Sequence, residues 1–437
     1  MALLSKFLVD TLGLSIHKAT CYEVVHTWNP NCYGAIADTW CDGWIFALKT
    51  YLVLYGFSSI FLVKNVRKIR WCQILFDSFR SSCFLMTNLI VFLWLMCQLR
   101  KMLGFFTIPT LGFMNGVISS LLAIWIENHR RRSLLALHLT NLASETAYHQ
   151  LVNHGYLKYV PNGSIIIFGI GLSGLLYFYH KDMLYNNLSK AVEYTLLTNG
   201  SEELFSQQVI QRIYSPVGTA LLVLRHKFRK HRLCRHQYSC ISRIVEVFLK
   251  NFSRALVCSV CLVIFNGVKQ ILGKPSMLFE HIFRFNTLRL PLFYGFLGLL
   301  FQTSRCGYSW FTNQAAPLPL CGALSSLAFF LYPNISVAMY VFWKFVEVVF
   351  FSYCKKMVVP YGNIALYALS TGYIAWNATI EPQTLREGYW KFLVGLTGSR
   401  INLLNRQLLD EFGYNSSRKF PNFVPRLDAR FTSLSNM

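Results

Sequence analysis

Two short polar stretches gather side chains able to hold a metal ion. CYEVVHTWNPNC supplies Cys21, His26 and Cys32, with Cys41 close behind, and HRLCRHQYSC supplies His231, Cys234, His236 and Cys240. Four soft or borderline donors are what tetrahedral zinc takes. Neither stretch has the paired C-x-x-C spacing of a zinc module, so unliganded or disulfide-bonded cysteine stands beside zinc as a reading of each. No metal or other cofactor is assigned from the sequence. CSVC at Cys258 to Cys261 has the redox spacing but lies in an apolar run, where a buried thiol is the expected state.

Two carboxylates lie within apolar segments, Glu145 in LASETAY and Glu347 in KFVEVVF, the second with Lys344 one turn away. An acid inside a span is costly, so it faces a partner helix or a polar path. Both readings stand, a helix contact neutralised by Lys344 or a pathway for a transported molecule. GIGLSG, Gly169 to Gly174, spells the G-x-G-x-x-G of a dinucleotide site, and Glu193 follows at the distance of a ribose-binding acid. The same small residues would let membrane helices approach closely, as would Gly112 and Gly116 in GFMNG. H-E-x-x-H, G-x-S-x-G and P-loop motifs are absent from the sequence, so no catalytic residue is assigned and an enzyme is not expected.

The elements that must carry these residues are membrane helices. Of 437 residues, 54% are hydrophobic and 16% aromatic, more apolar surface than a soluble domain buries. Charge-poor runs recur from residue 44 to residue 380 and predict an all-α, polytopic bundle of eight to ten spans. The opening MALLSKFLVDTLGLSIHKA carries Asp10 and predicts no cleavable signal. Many of the thirteen cysteines fall inside apolar runs, which argues against a disulfide scaffold.

The net charge of +23 is concentrated in residues 64–80, 127–132 and the run RHKFRKHRLCRH, with Arg225, Lys227, Arg229, Lys230, Arg232 and Arg235. An excess of cations on one side of a membrane accounts for much of it. A docking patch for anionic lipid or an acidic partner is the sharper reading. No nucleic-acid motif accompanies the charge.

Three landmarks recur in order about 200 residues apart. GVISSL at Gly116 returns as GALSSL at Gly322, the segment with Glu145 as that with Glu347, and VPNGSI at Val160 as VPYGNI at Val359. The chain therefore reads as two duplicated four-helix halves. An N-terminal cysteine-containing segment, 1–43, precedes the first half, 44–180. A polar basic linker, 181–250, leads to the second half, 251–380, and an amphipathic tail, 381–437, follows, with Ile401, Leu404, Leu408 and Phe412 at helical spacing. In the second half ALSTGY faces GIGLSG, keeping small residues but losing the fingerprint. Gly112, Gly116, Gly169, Gly171, Gly174 and Gly322 are therefore read as helix-packing positions.

CYEVVHTWNPNC, NLASETAY, QTLREGYWKFL and FVPRLDARFT together resemble the transmembrane protein 135 family over nearly the whole chain. The resemblance implies a multipass protein of peroxisomal and mitochondrial membranes, linked to mitochondrial fission and fusion, peroxisome organisation and lipid metabolism. It implies protein partners in organelle division or peroxisomal membrane import, beside the lipid bilayer itself. The repeats are also similar to units of the mitochondrial inner-membrane import translocases. No catalytic residue set comes with the resemblance, and a lipid or solute transporter remains the alternative.

Overall fold

The computed structural model describes residues 15–62, 70–197, 216–234, 236–273, 284–354 and 360–432. The described residues are all-α, apart from one two-stranded antiparallel pair, Ile16–His17 against Phe106–Thr107. The principal helices are α1 (Cys32–Leu62), α2 (Trp71–Leu103), α3 (Met114–Ala123), α4 (His129–Asn153), α5 (Gly163–His180) and α6 (Pro216–Lys227). They continue with α7 (Cys240–Gly273), α8 (Phe285–Thr312), α9 (Leu318–Ser325), α10 (Ile335–Tyr353), α11 (Gly362–Ile380) and α12 (Glu387–Leu396).

Local chemistry sets these boundaries. The Asn128 side chain accepts from the Arg130 N–H to start α4, and Asn334 does the same for Ser336 at the start of α10. Gly104, at φ +82°, ends α2 and gives its N–H to the Arg100 carbonyl. Asn313, at φ +52°, ends α8 in the same left-handed conformation. The turns before α5 and α11 have one geometry, with Asn162 at φ +58° and Tyr361 at φ +59°. That backbone suits asparagine and strains a tyrosine. Tyr361→Asn is expected to raise stability by about 1 kcal/mol, measured as the shift in denaturation midpoint in detergent.

The chain divides into two compact units, one of residues 1–159 with 359–437 and one of 160–358. In the first unit α1 packs on α2, α2 on α3, α3 on α11 and α11 on α4, while α12 lies against α1. In the second, α7 packs on α8, α8 on α9, α9 on α5 and α5 on α10. The first unit is thus closed by α11, from its later stretch of sequence, and the second by α5, at the start of its single stretch. In the second core the Phe168 and Phe329 rings stack at 4.5 Å, with Phe293 set on edge against both. In the first, Phe84, Leu142, Tyr367, Ile374 and Trp390 form the centre.

Four described helices are long and apolar enough to cross a membrane: Trp71–Leu103, Gly163–His180, Cys240–Ile264 and Ile335–Tyr353. The long apolar run after residue 102 is broken by the Gly104 cap, leaving the short helix Pro109–Ala123, whose first turn, Pro109–Phe113, has π geometry and runs on into α3. The run after residue 306 is broken at Asn313, leaving Leu318–Ser325 and a 3-10 turn, Ser326–Leu331. Apolar side chains such as Ile166, Ile170, Val257, Phe350, Phe351 and Leu369 point outward, and α10 buries only Ala338 and Val348. A helix apolar on all sides yet so little buried needs lipid as its solvent.

The tail is not the continuous amphipathic helix its spacing predicts. It forms separate turns, Arg400–Leu403, Arg406–Leu409 and Asp410–Phe412. Ser399 at φ +67° and extended backbone at Leu404 break the pattern, and Arg406 turns inward to donate to the carbonyls of Ile401 and Ala378 at 3.0 and 3.2 Å.

Candidate functional site

The glycines mark where helix backbones meet. A Cβ on Gly112 would stand 2.6 Å from the Trp376 Cα, and one on Gly116 2.8 Å from the Gly372 Cα. On α5, a Cβ at Gly171 would lie 2.8 Å from the Phe342 backbone nitrogen, and Gly174 lies under the Phe345 ring. Gly169 faces the Ser326 hydroxyl and Gly322 faces Leu176. GIGLSG is therefore filled by its neighbours and leaves no space for a pyrophosphate. Gly372 completes the first seam; its signal was the small-residue stretch ALSTGY.

The two acids have cationic neighbours. Glu145 is buried in α4, 3.5 Å from Arg386, a residue that no spacing rule singled out. Glu347 lies half-buried in α10 and accepts from Lys344 at 2.6 Å. Sequence reading missed other buried acids, Glu127 and Glu381 among them. Glu127 accepts from Ser81 at 2.8 Å and faces Arg131 at 3.4 Å, and Glu381 stands 2.7 Å from His154 Nε2. Both sit at helix ends, where polar flanks hide them from a search of apolar runs.

The cationic run separates into two kinds of residue. Arg225 is buried, donates to Glu246 of α7 at 2.8 Å and lies over the Tyr238 ring at 4.3 Å. It belongs to the interior rather than to a docking patch. Lys227, Arg229, Lys230 and Arg232 are exposed and take part in no ion pair among the described residues. Arg235 lies outside the described residues.

The cysteines and histidines converge as two groups, each completed by a residue distant in sequence. Cys21, His26 and Cys32 meet Cys97 of α2, and Cys234, His236 and Cys240 meet Cys306 of α8. In each group the ligand atoms all lie within 4.8 Å of one another. Cys41 is exposed and belongs to neither group, and His231 instead approaches Asn313 at 3.1 Å. Cys97 and Cys306 escaped sequence reading because an apolar helix is where a cysteine passes for a small hydrophobe. The neighbouring Cys21 and Cys97 thiols hold the Cys32 thiol below its ordinary range.

The first unit also holds an apolar cavity of about 140 Å³, lined by Phe92, Leu93, Met96, Ile374, Ala378 and Phe392. In the second, a polar cavity of about 750 Å³ borders Cys234, His236 and Cys306, with Arg232, Arg243 and Arg305 around it.

Among known proteins, a family model described as the N-terminal cysteine-rich region of Transmembrane protein 135 matches residues 18–152. The match covers the first Cys/His group and ends before the second. No solved structure matches this chain.

Proposed function

We infer that this chain, which belongs to the transmembrane protein 135 family, is a non-enzymatic multipass protein of peroxisomal and mitochondrial membranes. It recruits partners that set the balance of mitochondrial fission and fusion, peroxisome organisation and lipid metabolism. The observation that carries recruitment is the group of four exposed cations, Lys227, Arg229, Lys230 and Arg232, which follow a buried anchor at Arg225. Charges free of intramolecular partners attract an acidic protein surface or an anionic membrane over about a Debye length. Glu145 and Glu347, by contrast, each stand beside a cation of their own, which supports a role in holding helices.

The alternative is transport of a lipid. It is favoured by the apolar cavity in the first unit, whose volume of about 140 Å³ has room for a short stretch of acyl chain. One experiment separates the two readings: mitochondrial length in cells lacking the protein, after rescue at matched expression. Lys227→Gln, Arg229→Gln, Lys230→Gln and Arg232→Gln combined is expected to reach the membrane and fail to restore length. Glu145→Gln with Glu347→Gln is expected to restore it. The reverse pattern would favour transport and sink recruitment.

A further inference from the structure

We propose that Cys21, His26, Cys32 and Cys97 bind one structural zinc ion, and that Cys234, His236, Cys240 and Cys306 bind a second. Each set offers three sulfurs and one imidazole nitrogen, a common structural zinc donor set.

The spacing of the second set fits a tetrahedron. With Zn–S near 2.3 Å and Zn–N near 2.05 Å, tetrahedral ligands stand about 3.8 Å apart for two sulfurs and about 3.6 Å for sulfur and nitrogen. Cys234 lies 3.9 Å from Cys306 and 3.8 Å from Cys240, and Cys306 Sγ lies 3.7 Å from His236 Nε2. A disulfide would need its sulfurs at about 2.05 Å, far shorter than either separation.

Both histidines are set up as ligands. His26 Nδ1 is 2.7 Å from the Asn29 carbonyl and His236 Nδ1 is 2.7 Å from the Tyr238 carbonyl. A carbonyl only accepts, so each Nδ1 carries the proton and each Nε2 keeps its lone pair for the cluster. This carbonyl clamp is the usual outer support of a zinc-bound imidazole. His26 is 3% exposed, and among the described residues its buried Nε2 has no hydrogen-bond partner. A polar atom left so is costly unless something binds it.

The charge also balances. Three thiolates and one Zn²⁺ leave a net charge of −1, and each group has a guanidinium in its field, Arg100 near Cys21 and Arg243 near Cys306. Arg100 is held there by donating to the Lys18 and Ala19 carbonyls at 2.6 and 2.7 Å.

The two sites occupy matching places in the two units. Cys32 begins α1 and Cys240 begins α7; Cys97 lies 65 residues after the first and Cys306 66 residues after the second, each in the last turns of the following helix. Four protein ligands leave no open position, so the metal closes structure rather than catalyses. Each ion ties the polar segment before a helix pair to the end of that pair. In the second unit, the polar cavity beside Cys234 and Cys306 gives metal a way in.

The test is metal content of the full chain, purified in detergent without a polyhistidine tag. About two zinc ions per chain are expected, falling to about one in Cys32→Ser and in Cys240→Ser, and staying at about two in Cys41→Ser. If the serine variants fail to fold, the wild type still decides: exchange with cobalt should give intense tetrahedral thiolate-to-metal bands. Zinc near zero in folded wild type, a mass two hydrogens lighter per cysteine pair, or unchanged zinc in the folded Cys32→Ser, Cys240→Ser double variant would each overturn the proposal.

Discussion

Gly116→Leu is expected to leave little folded protein in detergent, a loss above about 3 kcal/mol. Even the first carbon of the new side chain would stand 2.8 Å from the Gly372 Cα and 2.9 Å from the Ala375 Cβ. Ordinary contact needs at least about 3.5 Å. The obstacle is helix backbone rather than a rotatable tip, so α3 and α11 must move apart along their length. Separation would open Gly112 from Trp376 as well, because both pairs lie on one seam. Packing of this kind is the main attraction between helices in lipid, where burying apolar surface yields little. Gly307→Ala supplies the control, since a Cβ there meets nothing within 4 Å. It should be neutral or gain up to about 1 kcal/mol from helix propensity. An unchanged midpoint in Gly116→Leu would mean that α3 and α11 do not meet at this seam.

The helices were legible in the apolar runs, because length and hydropathy decide whether a segment can be a membrane helix. Which helices close which unit was not. Periodicity records that α5 and α11 each have a small-residue face, but not which backbone that face meets. Helix ends were hidden for a related reason. Hydropathy averages over Gly104 and Asn313, whose left-handed backbones end α2 and α8 inside runs that otherwise read as continuous. The metal groups were half legible. Their polar members cluster in sequence, while Cys97 and Cys306 lie in helices where composition gives a cysteine no distinction. The repeated landmarks held the missing signal, since setting Cys240 against Cys32 brings Cys306 to within one residue of Cys97.

Arg225 shows why a charge run misleads when read as a block. Leu221 and Arg225 lie one turn apart on the buried face of α6, and the exposed cations begin only after it. Arg225→Ala is expected to cost about 3–5 kcal/mol because it leaves the Glu246 carboxylate buried without its counter-charge. Glu246 Oε1 accepts from Arg225 Nε at 2.8 Å and from the Ser242 hydroxyl at 2.7 Å. The serine cannot replace the guanidinium, since it brings no charge. Glu246→Ala should cost a similar amount by removing the carboxylate that the buried guanidinium pairs with. Arg225→Met combined with Glu246→Leu should lose far less than the two single changes together, since removing both charges removes the desolvation penalty with the attraction. Lys227→Gln, at a residue exposed and in no ion pair among the described residues, should stay within about 0.5 kcal/mol of wild type. If denaturation midpoints in detergent fall in that order, one cation of the run is structural and the next four are free to bind. A rescue experiment that neutralised Arg225 with them would then report unfolding in place of lost recruitment. If Arg225→Ala keeps the wild-type midpoint, the buried pair contributes nothing net, and Arg225 returns to the docking patch.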